Sequence, residues 1–177
     1  MKILFYNLVQ VIRLFGQMMV DGRLFNLPLL IFFRKGVYKL LFNIGKNVHI
    51  ENGVFIDREH RKLNSSIIIM DNVLISRHVH IDYTGFLTIK NNVRIAQGVT
   101  ILTHHRDLDE LVKGNDVNIQ TQLVIEENAY IGLNAIILSS CNYIGKNSRV
   151  GAGAVVTKDV PDNVLVAGVP AKVLNQL

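Results

Sequence analysis

Apolar residues recur every six positions along most of this chain, and that period predicts its architecture. Hexads open at Ile44, Ile50 and Ile56, at Ile69, Ile75 and Ile81, and at Ile89, Ile95 and Ile101. The series resumes at Ile125, Ile131 and Ile137, then at Ile144, Val150 and Val156. The fifth position is small or branched: Val48, Val54, Val73, Val79, Val93, Val99, Ala129, Ala135, Ser148, Ala154 and Val160. A hexad is too short for a helix and does not fit a plain alternating strand, so each one reads as a short strand plus a corner. The fourth position supplies the corner residue, with Asn47, Asn72, Asn92, Asn128, Asn134 and Asn147 in six hexads and Gly53, Gly98 and Gly153 in three others. Both residue types accept a left-handed backbone at low cost. Three hexads make one coil of a triangular prism whose opening and fifth residues turn inward, and about five such coils stack into an all-β parallel helix. No hexad buries its own apolar face, so stability must come from stacking.

The spacing between triplets says where this prism is interrupted. Their first residues, Ile44, Ile69, Ile89, Ile125 and Ile144, are 25, 20, 36 and 19 positions apart, and each surplus over a regular coil follows the third hexad. All irregular segments are therefore expected along one edge: the stretch near His60 to Asn64, the corner at Tyr83 to Gly85, a long excursion over 103–123, and the corner at Asn142 and Tyr143. Loops on a rigid scaffold are where function concentrates, so that edge is the candidate active face.

Charge and composition change the picture mainly at the N-terminus. The chain has 177 residues and a formal charge of +5. Lys2, Arg13, Arg23, Arg34, Lys35 and Lys39 against Asp21 account for that whole excess within residues 1–40. The same segment is rich in Phe and Leu and has two stretches of helical length separated near Pro28. Residues 1–43 are expected to form an apolar, basic helical extension ahead of the 44–177 domain, whose C-terminal segment covers 162–177. Capping the open prism end is the favoured role, with peripheral membrane contact through 1–43 left open as an addition. No uncharged run reaches the ~18 residues that span a bilayer, and no signal peptide is expected, which points to the cytoplasm, including the inner face of its membrane. The basic residues sit among bulky aliphatics, a poor pattern for nucleic acid. The lone Cys141 occupies an inward fifth position and reads as a small core residue.

Chemistry has to come from the active edge. Of six histidines, His49 holds an outward position, His60 sits in a charged run, His78 fills a left-handed corner slot, and His80 is outward and could face a cleft. His104 and His105 stand where regular prism gives way to the excursion. An imidazole anchored at a strand end can take a proton near neutral pH. Asp107 and Asp109 lie close enough in sequence to hold its second nitrogen.

From about Ile44 to Leu177 the chain resembles the hexapeptide-repeat acyltransferases, close to the galactoside, maltose and nodulation-type acetyltransferases. The stretch from Ile144 to Pro161 (IGKNSRVGAGAVVTKDVP) and the run Val166 to Lys172 (VAGVPAK) carry the resemblance most specifically. The resemblance implies a left-handed parallel β-helix, a homotrimer with active sites between neighbouring prisms, and acetyl-CoA as donor with no metal required. It makes His104 the catalytic base, with His105 as understudy. Ala152, Thr157 and Lys158 match positions along the coenzyme groove and Lys172 one near its phosphates. Leu133 replaces a family Ser at the pantetheine end. Ser76 replaces an Asn of the acceptor site, and Asn175 a second basic residue near the phosphates.

The expected reaction is direct acetyl transfer from the thioester to a sugar hydroxyl. The N-terminal segment favours a surface polysaccharide or its lipid-linked precursor as acceptor, with N- or O-acetylation of a soluble amino sugar or nucleotide sugar as the runner-up. Two other classes stay in view, a γ-carbonic-anhydrase-like metal trimer and a non-catalytic scaffold. The adjacent His104–His105 pair lacks the histidine spacing of the metal class.

Overall fold

The computed structural model describes Gly36, Tyr38, residues 42–58 and residues 64–177. The chain divides into two compact units, Met1–Ile44 and Gly45–Leu177. Most of the expected helical extension over 1–43, and His60 with its charged neighbours, lie outside the described residues. In the first unit the rings of Tyr38 and Phe42 stack with centroids 6.0 Å apart, and strand β1 covers Asn43–Ile44. Among the described residues no helix is long and apolar enough to cross a membrane.

The second unit winds around three parallel sheets. The first face carries β4 (Ser66–Ile69), β7 (Phe86–Ile89), β12 (Gln122–Ile125) and β15 (Tyr143–Ile144), paired in that order. The second carries β2 (His49–Ile50), β5 (Leu74–Ile75), β8 (Arg94–Ile95), β13 (Tyr130–Ile131), β16 (Arg149–Val150) and β18 (Val164–Ala167). The third carries β3 (Phe55–Asp57), β6 (His80–Asp82), β9 (Thr100–Ile101), β14 (Ile136–Ile137) and β17 (Val155–Val156). Register is strict: Ile56, Ile81 and Ile101 align along the third face, as do Ile50, Ile75, Ile95, Ile131 and Val150 along the second. These openers and the fifth-position residues from Val54 to Val160 fill the interior, where Ile75, Ile81, Ile95, Ile101, Ile131 and Ile137 have no exposed surface.

The corners behave as the fourth-position pattern predicts. Asn47, Asn72, His78, Asn92, Asn128, Asn134 and Asn147 all have positive φ, as do Gly53, Gly98 and Gly153. The Asn side chains also stack: Asn92 donates to Asn128 at 3.1 Å, Asn128 to Asn147 at 3.0 Å, and Asn147 to Asn163 at 2.8 Å. Each Asn in this ladder thus bends its own coil and ties it to a neighbouring one. The coils run left-handed, against the usual preference for right-handed crossovers. That preference arises from strand twist, and strands of two to four residues carry little of it.

Within the second unit four coils are complete, preceded by β2 and β3 of another, and the structure adds the start of a further one after β17. Val160 bridges to Ile144 in parallel, and β18 pairs with β16 before β19 (Lys172–Gln176) folds back antiparallel on it. This return strand seals the C-terminal end of the second sheet. Cys141 is fully buried in the core column, and burial pushes its thiol up to about 12.

Candidate active site

Every described interruption leaves between the third face and the first, as the triplet spacing requires. The longest is ordered. Strands β10 (His104–Arg106) and β11 (Asn118–Gln120) pair antiparallel, with His104 opposite Gln120, and carry helix α1 (Leu108–Val112) at the tip. Gln120 Nε2 donates to the carbonyls of Asn64 at 2.6 Å and Thr84 at 2.5 Å, which fastens the hairpin to neighbouring loops.

His104 is the first residue beyond the neck of that hairpin, and its Nδ1 lies 2.7 Å from Asp82 Oδ2. Asp82 follows the core residue Ile81 at the end of β6, one coil below, and its side chain is only 5% exposed while that of His104 is 11% exposed. The carboxylate is held from several sides. Oδ1 accepts from Thr84 N at 2.9 Å and from Thr84 Oγ1 at 2.5 Å, while Oδ2 also accepts from Thr103 N at 3.0 Å. Thr103 in turn donates from Oγ1 to the Asp82 carbonyl and accepts from Gly85 N. Burial by itself would raise the Asp82 carboxyl. The hydrogen bonds from the Thr84 side chain, from His104 and from the Thr103 and Thr84 backbone outweigh it and hold the group below its ordinary value. An ionised carboxylate therefore fixes the orientation of His104 and favours a proton on Nδ1.

Asp107 and Asp109 do not do this work. Asp107 Oδ1 caps α1, accepting from Asp109 N at 3.0 Å and Glu110 N at 3.1 Å, a demand that any helix start makes on a nearby side chain. The acid that serves His104 is distant in sequence and adjacent in space. His105 alternates to the other side of β10, where its Nδ1 lies 3.1 Å from Oγ of the buried Ser139. His78 takes the left-handed corner expected of it, with φ 56°, and His49 is exposed on β2.

A second imidazole–carboxylate pair lies on the same face. His80 Nε2 is 3.0 Å from Asp57 Oδ1. The hydrogen bond to Asp57 raises the His80 pKa, burial works against this, and the charges of Asp57 and Asp82 add to the rise. Sequence reading passed over both acids. Their signal was available: Asp57 and Asp82 each follow the opening residue of a third hexad, at the edge from which the interruptions leave. Among the described residues no group of three or more His, Cys, Asp or Glu is placed to hold a metal ion.

The residues matched to a coenzyme groove lie on coils farther toward the C-terminus. Leu133 and Ala152 occupy successive corners between the second and third faces, linked by the bond from Gly153 N to the Leu133 carbonyl at 2.8 Å. Thr157 and Lys158 follow β17 at the opposite end of the third face, where Ser140 Oγ donates to the Thr157 carbonyl. Lys172 opens β19 and is exposed. Ser76 lies at a corner before β6, half-buried, across the width of the third face from Asp82.

The chain matches a hexapeptide-repeat family model, that of succinyl-transferase repeats, over residues 42–58 and 122–158. It is 35% identical over 137 residues to galactoside O-acetyltransferase of Escherichia coli, which covers 77% of this chain and 57% of that protein. A putative acetyltransferase of Saccharomyces cerevisiae is 33% identical over 143 residues, covering 80% of this chain and 69% of the yeast protein. Among solved structures, a hexapeptide-repeat acetyltransferase of Vibrio cholerae superposes with a TM-score of 0.81 at 25% identity over 97% of this chain and 92% of that one. A galactoside acetyltransferase in complex with coenzyme A gives 0.65 at 25% identity, over 94% and 79% of the two chains. The chain spans about half the length of several relatives that it matches, including two galactoside O-acetyltransferases.

Proposed function

The chain belongs to the hexapeptide-repeat acetyltransferase family, and from that premise we propose that it transfers an acetyl group from acetyl-CoA to a hydroxyl of a surface polysaccharide or its precursor. The observation that carries the reading is the buried Asp82–His104 pair at 2.7 Å, set at the edge where the hairpin leaves the prism.

The chemistry follows from that pair. With Nδ1–H donating to Asp82, Nε2 of neutral His104 takes the proton of the acceptor hydroxyl as its oxygen attacks the thioester carbonyl. Asp82 stabilises the imidazolium that forms. The tetrahedral intermediate then collapses, the carbon–sulfur bond breaks, and the imidazolium returns the proton to the departing thiolate of coenzyme A. Proton, acyl group and charge all balance without a covalent enzyme intermediate. Backbone N–H groups at the corner are the candidates for the oxyanion.

The donor side is supported by the coenzyme A bound in the related galactoside acetyltransferase and by the positions of Leu133, Ala152, Thr157, Lys158 and Lys172. A homotrimer, with each site completed by a neighbouring prism, goes with the family reading. The polysaccharide acceptor rests on the apolar, basic N-terminal segment, whose chemistry suits work beside a membrane. The test is acetyl-CoA consumption against free sugars, nucleotide sugars and repeat-unit oligosaccharides, with His104→Ala alongside. A folded His104→Ala protein should lose about 10² or more in turnover. Near-normal turnover by that folded variant would reject His104 as the base.

A further inference from the structure

The third face turns two columns of side chains away from the core, and their chemistry changes along the prism. Phe55, His80, Thr100, Ile136 and Val155 stand in register in one column. The neighbouring column, by hexad position, runs Asp57, Asp82, Leu102, Leu138 and Thr157. In these columns ionisable and aromatic side chains are confined to the two N-terminal coils. The central coils are aliphatic apart from Thr100, and the residues matched to the donor sit at the C-terminal end.

The N-terminal cluster is built from side chains that hold one another. The Phe55 ring lies 5.5 Å from the His80 ring at an angle of 54°, and His80 Nε2 meets Asp57 Oδ1 at 3.0 Å. All three stay open to solvent, Phe55 at 46% overall and the His80 and Asp57 side chains at 42% and 36%. A large aromatic ring left half-exposed beside an oriented polar pair offers a flat apolar surface and hydrogen-bonding atoms side by side.

Placement ties the cluster to the base. Ile81 points into the core between His80 and Asp82, so those two side chains leave the same side of β6 about 7 Å apart along the strand. Asp57 is the register partner of Asp82, roughly 5 Å away across the sheet. Asp82 holds His104. One sugar residue is therefore large enough to reach both the Asp57–His80 pair and the atom that His104 would deprotonate.

We propose that Phe55, Asp57 and His80 form the acceptor subsite, holding a neutral pyranose with an apolar ring face against Phe55 and hydroxyl groups on the Asp57–His80 pair. This rests on the acetyl-transfer reading and adds a class of sugar to it. Two carboxylates, Asp57 and Asp82, stand within this cluster, against one imidazole that Asp57 favours in its charged form and one that must be neutral to act as base. An acidic sugar would bring a further negative charge beside two carboxylates that already share one imidazolium.

Ligand-observed NMR on the full chain with coenzyme A present tests this, using methyl galactoside and methyl glucoside with the matching methyl uronides as probes. At least one neutral glycoside should bind, and the uronides at least fivefold more weakly. Phe55→Ala and His80→Gln should each weaken the neutral glycoside tenfold or more. Asp57→Asn should narrow the gap between neutral and acidic sugars, a change in preference that loss of general structure would not produce. Both Phe55 and His80 face outward, and a single cooperative melting transition, well above the temperature of the binding assay, confirms that the variants fold. Absence of any neutral-glycoside binding, tighter binding of the uronides, or affinities unmoved by the three substitutions would each overturn the subsite. His104→Ala separates the two readings: it should keep glycoside binding while losing acetyl-CoA consumption. Consumption that survives this change would reject the base assignment, whatever the sugar data show.

Discussion

Replacing Asp82 by Asn tests the site at its most constrained atom, because it keeps the shape of the side chain and removes only charge and one acceptor. The amide oxygen can still serve Thr84, whose N and Oγ1 lie 2.9 and 2.5 Å from Oδ1. The amide nitrogen then faces the Thr103 N–H at 3.0 Å and His104 Nδ1 at 2.7 Å. It cannot accept from Thr103, and a buried N–H without a partner costs about 1–3 kcal/mol. It can only donate to Nδ1, which drives the imidazole proton to Nε2, the wrong nitrogen for a base. A misassigned tautomer behind intact geometry lowers turnover by about 10²–10⁴, or roughly 3–5 kcal/mol of barrier. Turnover at saturating acetyl-CoA, the ¹⁵N shifts of the imidazole and the melting temperature report these effects separately. A variant with the proton on Nε2 and turnover within threefold of the parent would refute the reasoning.

The corner ladder predicts that Asn128→Ala, at φ 60°, destabilises by about 1–3 kcal/mol through backbone strain and lost side-chain bonds, measured by denaturant unfolding. Asn128→Gly should cost less, because only the hydrogen bonds are lost. Gly85→Ala would drive a Cβ into the carbonyls of Thr103 and Thr121, so it should lower both the melting temperature and turnover, since Thr103 also positions Asp82. The His80–Asp57 pair predicts a pH effect. Its folded pKa lies above the ordinary 6.5, so its contribution is fully present below that value and fades as pH rises through the raised one. His80→Gln should therefore cost stability at pH 6 and progressively less toward pH 9, by a small amount because the pair is solvated. A difference between the two proteins that does not vary with pH would contradict it.

The prism was legible because its constraints are local and repeated. Each Asn or Gly corner and each inward Ile or Val is dictated by its own hexad, so the period alone locates them, and the edge carrying the interruptions follows from where the surplus residues fall. His104 was legible as the residue at which the period breaks. Its carboxylate partner was not, because closeness along the chain favoured Asp107 over Asp82, while stacking brings the end of one coil beneath the start of the next excursion. The helix cap took Asp107 for itself, a competing local demand that the motif Asp-Leu-Asp-Glu at 107–110 already advertised. The Asp57–His80 pair was hidden for the same reason, since its partners are separated by a full coil of the prism.

A base placed on a long excursion would ordinarily move with it, and the architecture prevents this by closing the excursion at its root. Although β7 and β12 are far apart in sequence, they pair residue by residue, Leu87 with Leu123 and Ile89 with Ile125. Thr121 N donates to the Thr103 carbonyl at 2.9 Å, and Phe86 N to the Thr121 carbonyl at 3.0 Å. Thr103 is itself fully buried and bonded to Asp82 and Gly85. The sheets therefore continue as if the insertion were absent, and the first residue past this clamp inherits the rigidity of the prism. That residue is His104. Catalytic geometry needs positions fixed to within fractions of an ångström, whereas acceptor choice benefits from elements that vary. Placing the imidazole directly at the clamp and the rest of the hairpin farther out lets one part change without disturbing the other.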